Sequence, residues 1–276
     1  DHNVAIRDRA KRKGLKVSEY GVFDSKTNDL LGGAHEEDIF RLVDLPFIPP
    51  ELRENSGEIE AAEKGKLPKL IQFEDMKGDL QMHTKASDGA NTIEEMAIAA
   101  KKLGYKYIAI TDHSKAVKVA GGLNEEELEA HIQAIKKANR KIDGIEILSG
   151  IEVDIMPDGS LDLADWVLSK CDVVIAAVHS KFNMSREEMT RRIIKGISNP
   201  LVHILAHPTG RIINERDPYE VDLEAIIAAA KKNKVALELN SYPDRLDLRD
   251  IYCRQAKEAG VKISINTDSH AAMQLG

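Results

Sequence analysis

Only two cysteines, Cys171 and Cys253, occur in 276 residues. A disulfide-stapled scaffold is therefore excluded. Two thiols that flank or lie within apolar segments read as buried and free, which suits a reducing, cytoplasmic home. No apolar run approaches the ~20 residues of a membrane span. No signal peptide opens the chain, because DHNVAIRDRAKRKG is polar and basic. An initiator methionine is also missing, so a processed or cut fragment is expected. Tryptophan occurs once, at Trp166, and is expected in core or helix–barrel packing. A net charge of −7 excludes a protein coated all over for nucleic acid. A local basic surface is still open. Residues 1–16 carry Arg7, Arg9, Lys11, Arg12, Lys13 and Lys16 against two acids, a phosphate-contact pattern or simply a solvated helix face.

The first 77 residues hold no run that would build a sizeable core. A helix passes into the extended piece SEYGVFD, and residues 23–34 are turn-rich, with Gly32 and Gly33. Residues 36–45 form a short amphipathic helix with Ile39, Leu42 and Val43 at helical spacing. Residues 58–71 read as a helix fading into a linker. From Gly78 the rhythm changes to short apolar runs alternating with helices, which predicts parallel strands with helical crossovers. Strands are expected at 78–83, 106–112, 145–153, 172–178, 201–206, 235–240 and 261–267. Thr92 with Glu95 and Ser185 with Glu188 have capping-box spacing, and Asn124 precedes another helix. The expected division is 1–57, a small N-terminal α+β unit; 58–77, a linker; and 78–276, an α/β domain. Seven strands sharing one functional rim predict a distorted seven-stranded TIM-like barrel, cut short at the C-terminus.

Five of the nine histidines stand where an apolar run stops: His83, His113, His179, His207 and His270. Asp88, Glu152 and Asp268 join them at equivalent places. Gln81 and His83 are two apart on a strand, so both side chains face one way. A parallel barrel brings such strand ends onto one face. Imidazole and carboxylate together are ligands for zinc and related divalent ions, and so many donors exceed the four or so that one zinc takes. Two or three ions are expected. Clustered divalent ions suit phosphoester hydrolysis, where they activate water and neutralise charge on the attacking and leaving oxygens. Arg211, Lys181 and Arg245 lie just past strand ends and could hold phosphate, each with an equally weighted reading as surface charge. Asp112 could orient an imidazole. His2, His35 and His131 read as solvated, and His203 as packing or hydrogen bonding.

The segments DLQMHTKASDG, ITDHS, GIEVDI, AAVHS, LAHP and INTDSH resemble the polymerase and histidinol phosphatase (PHP) family of metal-dependent phosphoesterases. The resemblance implies a trinuclear centre using Mn²⁺ or Zn²⁺. In it, His83, Glu152 and Asp268 form one site, with Gln81 where a His is usual. Asp88, His113 and His270 form a second, and Glu152, His179 and His207 a third. His83, His113, Glu152, Asp268 and Arg211 are the residues expected to carry catalysis. The leading segments DHNVAIRDRAKRKGLKVSEYGVFD and FIPPELRENSGEIEAA resemble the thumb end of a bacterial or archaeal family X DNA polymerase, in which Asn3 and Arg7 look like minor-groove contacts. Arg9 and Lys11 extend that candidate DNA surface. The polymerase palm is missing, so polymerisation is not expected. The resemblance implies processing of DNA 3′ ends, gapped or damaged, and abasic-site cleavage. Gln81, and Lys85 with Ala86 in the loop before Asp88, depart from the usual pattern. Three alternatives follow from the residues: a small-molecule phosphatase such as one for histidinol phosphate, a non-catalytic DNA-positioning scaffold, and a C–N hydrolase of amidohydrolase type. The last is disfavoured because Glu152 and His179 stand where that class usually places a bridging lysine.

Overall fold

A computed structural model describes residues 1–276. The chain divides into two compact units, Asp1–Ile71 and Gln72–Gly276. In the first, helix α1 (His2–Arg12) is followed by an antiparallel sheet of β1 (Leu15–Ser18), β2 (Gly21–Asp24) and β3 (Leu30–Gly32). Helices α2 (Glu37–Leu42) and α3 (Glu58–Glu63) follow. Ile6, Ala10, Phe40, Val43, Leu45, Ile48 and Ala62 form its small core, with Ile59 and Leu67 against it. Residues expected to begin a linker thus pack into this core instead. His2, expected in solvent, is buried and lies 2.6 Å from Glu58, whose carboxylate also accepts from the Asn55 and Ser56 amides.

The second unit is a seven-stranded parallel sheet in sequential order: β4 (Gly78–Asp79), β5 (Tyr107–Ile110), β6 (Glu146–Asp154), β7 (Val173–Ala177), β8 (Ile204–Leu205), β9 (Ala236–Asn240) and β10 (Ile263–Asn266). Beyond the last ladder positions, Met82 bridges Ser269 in parallel, and the His83 amide donates to the Ser269 carbonyl at 2.8 Å. Thr267 and Gln81 amides both donate to Asp79. The segments following the first and last strands therefore meet, and the sheet nearly closes into the seven-stranded TIM-like barrel that the strand rhythm predicts. Strand β7, VVIAA, is buried throughout, as a strand covered on both faces must be. Val173, Ile175 and Ala177 cluster with Ala109, Ile204 and Ala206, all from strands or their ends. Val174, Ala176 and Val178 pack with helix residues such as Met189, Ile193 and Ile197.

The crossover helices begin where their caps dictate. Helices α4 (Ile93–Lys102), α5 (Glu125–Asn139) and α7 (Arg186–Ile197) each carry a complete capping box, from Thr92 with Glu95, Asn124 with Glu127, and Ser185 with Glu188. Between α5 and α7 lies the single-turn α6 (Asp165–Leu168), and α8 (Leu223–Asn233) and α9 (Asp250–Ala259) complete the set. Trp166, expected in core or helix–barrel packing, is 49% exposed under Lys170, whose ammonium lies 4.6 Å from the ring centroid. Cys171 and Cys253 are free and half-buried rather than fully buried. No helix is long and apolar enough to cross a membrane.

Candidate metal centre

Parallel strands place their C-terminal ends on one rim, and the loops leaving that rim carry the polar residues. Glu152, fully buried near the end of β6, is the hub. Its Oε1 lies 3.0 Å from His207 Nε2 and 3.4 Å from His179 Nε2. Its Oε2 lies 3.0 Å from His113 Nδ1 and 3.6 Å from His83 Nε2. Asp268 Oδ1 is 3.0 Å from His83 Nε2, and Asp88 lies 3.5 Å from His270 and 3.7 Å from His113. The His83 and His270 rings stack at 4.1 Å. All nine residues expected as ligands from the sequence thus gather at one place, Gln81 included.

Three sets have donor atoms within 4.8 Å of one another: His83, Asp88, His113 and His270; His113, Glu152 and His179; and His83, Glu152 and Asp268. His83 and His113 each belong to two sets. His207 touches Glu152 but stands outside all three. Gln81 donates its amide to Glu152 at 3.1 Å and reaches Asp268 at 3.4 Å. Its Oε1 is buried without a hydrogen bond, as are Nδ1 of His83 and of His207, while His113 Nδ1 and Glu152 Oε2 face each other at 3.0 Å and His179 Nδ1 faces only Asp154, at 3.5 Å. Buried polar atoms are normally satisfied. Buried polar atoms left without hydrogen bonds beside three convergent donor sets fit divalent cations, with Gln81 offering a carbonyl oxygen. Asp268 and His207 also hold left-handed backbone, with φ 54° and 26°, a strain that persists at functional sites when surroundings enforce it.

The electrostatics follow from this packing. Burial pulls the His83 imidazole toward neutrality, but its bond to Asp268 and the charges of Asp268 and Glu152 outweigh that and raise it to about 9. Burial acts likewise on His179, and Glu152 and Asp154 overcome it, raising it to about 10. Burial would raise Glu152, but the charges of His179 and His113 hold it well below the usual carboxylate range. His207 is pushed down by burial and by Arg245.

Supporting residues largely escape sequence reading. Asp112 does orient an imidazole, but that of His131 on α5, at 2.9 Å, rather than a candidate ligand. His131, expected in solvent, is buried. Asp112 also accepts from Thr84 N, Thr84 Oγ1, Ser87 N and Ser87 Oγ at 2.6–3.2 Å, folding the loop that presents Asp88. Gly89 completes that loop: a Cβ there would lie 2.6 Å from the His83 carbonyl. Replacing His131 by alanine is expected to weaken divalent-ion affinity about tenfold to a hundredfold. Titration of the metal-free protein checks this, and unchanged affinity would leave His131 a packing role only. Asp154, two residues after Glu152 and so on the same strand face, accepts from the His179 amide at 3.1 Å. Glu238 accepts from the His207 amide and Asn266 at 2.7 Å each, and burial pushes its carboxyl well up. Asn240 donates to Asp268 at 3.0 Å. Glu238 and Asn240 alternate on β9, a polar pair in an apolar strand, and that alternation was a readable signal.

The expected phosphate-binding residues fare differently. Arg245 Nε lies 3.5 Å from Asp268, and its Nη1 is buried without a partner. Arg211 is partly committed: its guanidinium donates through Nε and Nη2 to the carbonyls of Arg245 (2.7 Å) and Leu246, tying two loops together. Lys181 is exposed, with left-handed backbone and no ion pair. In the first unit Asn3, Arg7 and Lys11 are exposed and fall on one stripe of α1, three positions four apart. Arg9 lies off that stripe, held by the Val43 carbonyl (2.7 Å) and by Glu63. His203 accepts from the Val174 amide at 3.0 Å and takes no part in the cluster.

Comparison with known proteins decides the family. A PHP domain model matches residues 79–242. The chain belongs to the PHP family. The DNA polymerase beta thumb model matches residues 1–54, ahead of the PHP barrel. The chain is 44% identical over 270 residues to the DNA polymerase/3′-5′ exonuclease PolX of Bacillus subtilis, covering 98% of this chain and 47% of that protein. It therefore spans about half of that relative's length. A "probable phosphatase" of Thermoanaerobacter sp. (strain X514) is 36% identical over 209 residues, 72% of this chain and 80% of that protein. Among solved structures, the histidinol phosphate phosphatase of Lactococcus lactis, complexed with zinc, L-histidinol and phosphate, shares the PHP fold with a TM-score of 0.52 at 19% identity. The match covers 71% of this chain and 87% of that one.

Proposed function

We propose that the barrel is a metal-dependent phosphoesterase acting on DNA 3′ ends, removing nucleotides or blocking groups from gapped or damaged DNA, with two or three Mn²⁺ or Zn²⁺ ions. A cage of donor atoms with unsatisfied buried lone pairs, in the same chain as a polymerase-type thumb, carries this reading. The nine gathered residues would hold the ions. Bound divalent ions supply an activated water and neutralise charge on a phosphoryl group. The chain's own part is positional. Glu152 and Asp268 anchor the imidazoles, and Asp112 and Asp154 fix the loop of Asp88 and the backbone of His179. Arg245, with an unpartnered buried Nη1 beside Asp268, is placed to donate to non-bridging phosphoryl oxygens. Asn3, Arg7 and Lys11 would follow the DNA backbone or groove. Two free cysteines suit a cytoplasmic setting.

A 5′-labelled oligonucleotide is expected to shorten from its 3′ end when Mn²⁺ is supplied, and His113→Ala is expected to abolish this. Equal activity after chelation would end the proposal. The relatives named as phosphatases match 72% of this chain and about 80% of their own length, which favours a second reading as a small-molecule phosphatase. Turnover of histidinol phosphate far above that of DNA would select it.

A further inference from the structure

A cavity of about 300 Å³ opens beside the candidate ligands Asp268 and His270. Its walls come from two loops, 208–217 and 241–248, together with Asp268, His270 and Gln274, and the structure locks the two loops to each other. The Ile213 amide donates to the Asp244 carbonyl at 2.6 Å, and Arg211 donates to the carbonyls of Arg245 and Leu246. The cavity is also coupled to the metal centre through one side chain. Asn240 accepts from the Tyr242 amide at 3.1 Å and donates to Asp268 at 3.0 Å. Tyr242 is thereby placed relative to Asp268, a candidate ligand.

The chemistry of the lining is graded. Arg245 stands at the end next to Asp268. Tyr242 and Ile212 supply an aromatic and an aliphatic wall. Glu215 and Asp244 bring two exposed carboxylates that form no ion pair. A phosphoryl group held by Arg245 would leave its attached substituent to the space that Tyr242, Ile212, Glu215 and Asp244 also line. Carboxylates accept N–H donors and repel phosphate. A flat, uncharged heterocycle bearing amino groups fits such walls.

Resting on the proposed action at DNA 3′ ends, we propose that this cavity seats the terminal nucleoside of the strand being shortened, stacked on Tyr242, and that Asp244 and Glu215 exclude a further phosphate from it. Arg211 is then a positioning residue: it braces both loops of the pocket and touches no substrate.

The test uses the whole chain with Mn²⁺ and three oligonucleotides that differ only at the 3′ terminus: an ordinary nucleotide, a base-free tetrahydrofuran residue, and a nucleotide carrying a 3′-phosphate. The wild-type protein is expected to remove the ordinary terminus about tenfold faster than the base-free one, a typical effect of one stacked base. In Tyr242→Ala the ratio of those two rates falls to about one. The base-free oligonucleotide reports the folded catalytic centre, so a misfolded variant shows as loss of both rates. In that event Tyr242→Phe, which keeps the ring, must restore the preference. In Asp244→Asn/Glu215→Gln, release of the terminal nucleoside 3′,5′-bisphosphate relative to release from the 3′-hydroxyl end rises about tenfold. A wild-type protein that shortens DNA but removes base-bearing and base-free termini equally overturns the pocket and leaves the phosphoesterase reading standing. A wild-type protein that shortens none of the three overturns both.

Discussion

Glu152→Gln is expected to lower phosphoesterase turnover on the order of 10³-fold, because an ion at such a centre supplies several kcal/mol of charge stabilisation. Glutamine keeps the shape of the side chain and removes its charge. That charge is what the surroundings require. Four imidazoles, those of His83, His113, His179 and His207, stand 3.0–3.6 Å from its two oxygens, and Gln81 donates to one of them. One carboxylate thus serves two of the three donor sets directly. The same variant is expected to retain fewer ions when assayed by elemental emission. It should also lose thermal stability when metal-free, since removing one partner of a buried charge group costs about 3–5 kcal/mol. Wild-type turnover with wild-type ion content would show that Glu152 is structural. Glu152→Asp separates charge from reach. If charge alone mattered, aspartate would restore activity; if spanning two sets matters, the shorter side chain restores ion content only in part.

The barrel and the meeting of the candidate ligands at one rim were legible because both obey short-range rules. Parallel strands buried on both faces are apolar runs such as VVIAA, and a ligand at the end of one run is visible as a polar residue that stops it. The caps at Thr92 and Ser185 were readable for the same reason, since each lies within three residues of its partner. What failed depends on partners far along the chain. Arg211 sits past a strand end like Arg245, yet carbonyls 34 and 35 residues away claim its guanidinium. Arg9 looked like its exposed neighbours Arg7 and Lys11, but it falls on another side of α1 and meets Val43 and Glu63. His131 stands on a helix rich in glutamates, and nothing nearby in sequence shows that its ring turns inward onto Asp112. A helix face can be read from periodicity, whereas the destination of one long side chain cannot.

Metal uptake by the stripped protein is expected to release protons and to tighten with pH. Without ions, Asp268 and Glu152 raise His83 to about 9, and Glu152 and Asp154 raise His179 to about 10, against burial in both cases. At pH 7 both rings hold protons that a cation must displace. Affinity should therefore climb roughly tenfold per pH unit for each proton displaced, up to pH about 9–10. Stability of the ion-free chain runs the other way. An imidazole whose pKa rises on folding stabilises fully below its unfolded value, 6.5, and loses that contribution as pH climbs through 9 to 10. The lowered carboxylates Glu152 and Asp268 contribute above their unfolded values of 4.5 and 3.8 and fail as pH falls. As far as His83, His179, Glu152 and Asp268 decide, the stripped protein is thus most stable near pH 4.5–6.5, and the loaded protein gains most at higher pH. With free ion at a thousandfold over Kd, loading adds about 4 kcal/mol. For a chain of this size that is about 8–16 °C in Tm. Scanning calorimetry with and without Mn²⁺ or Zn²⁺ at pH 6, 7.5 and 9 measures the difference, and titration in two buffers of unequal ionisation enthalpy counts the protons. A Tm gain that shrinks from pH 6 to 9, with no protons released, would mean that cations do not bind where these imidazoles converge.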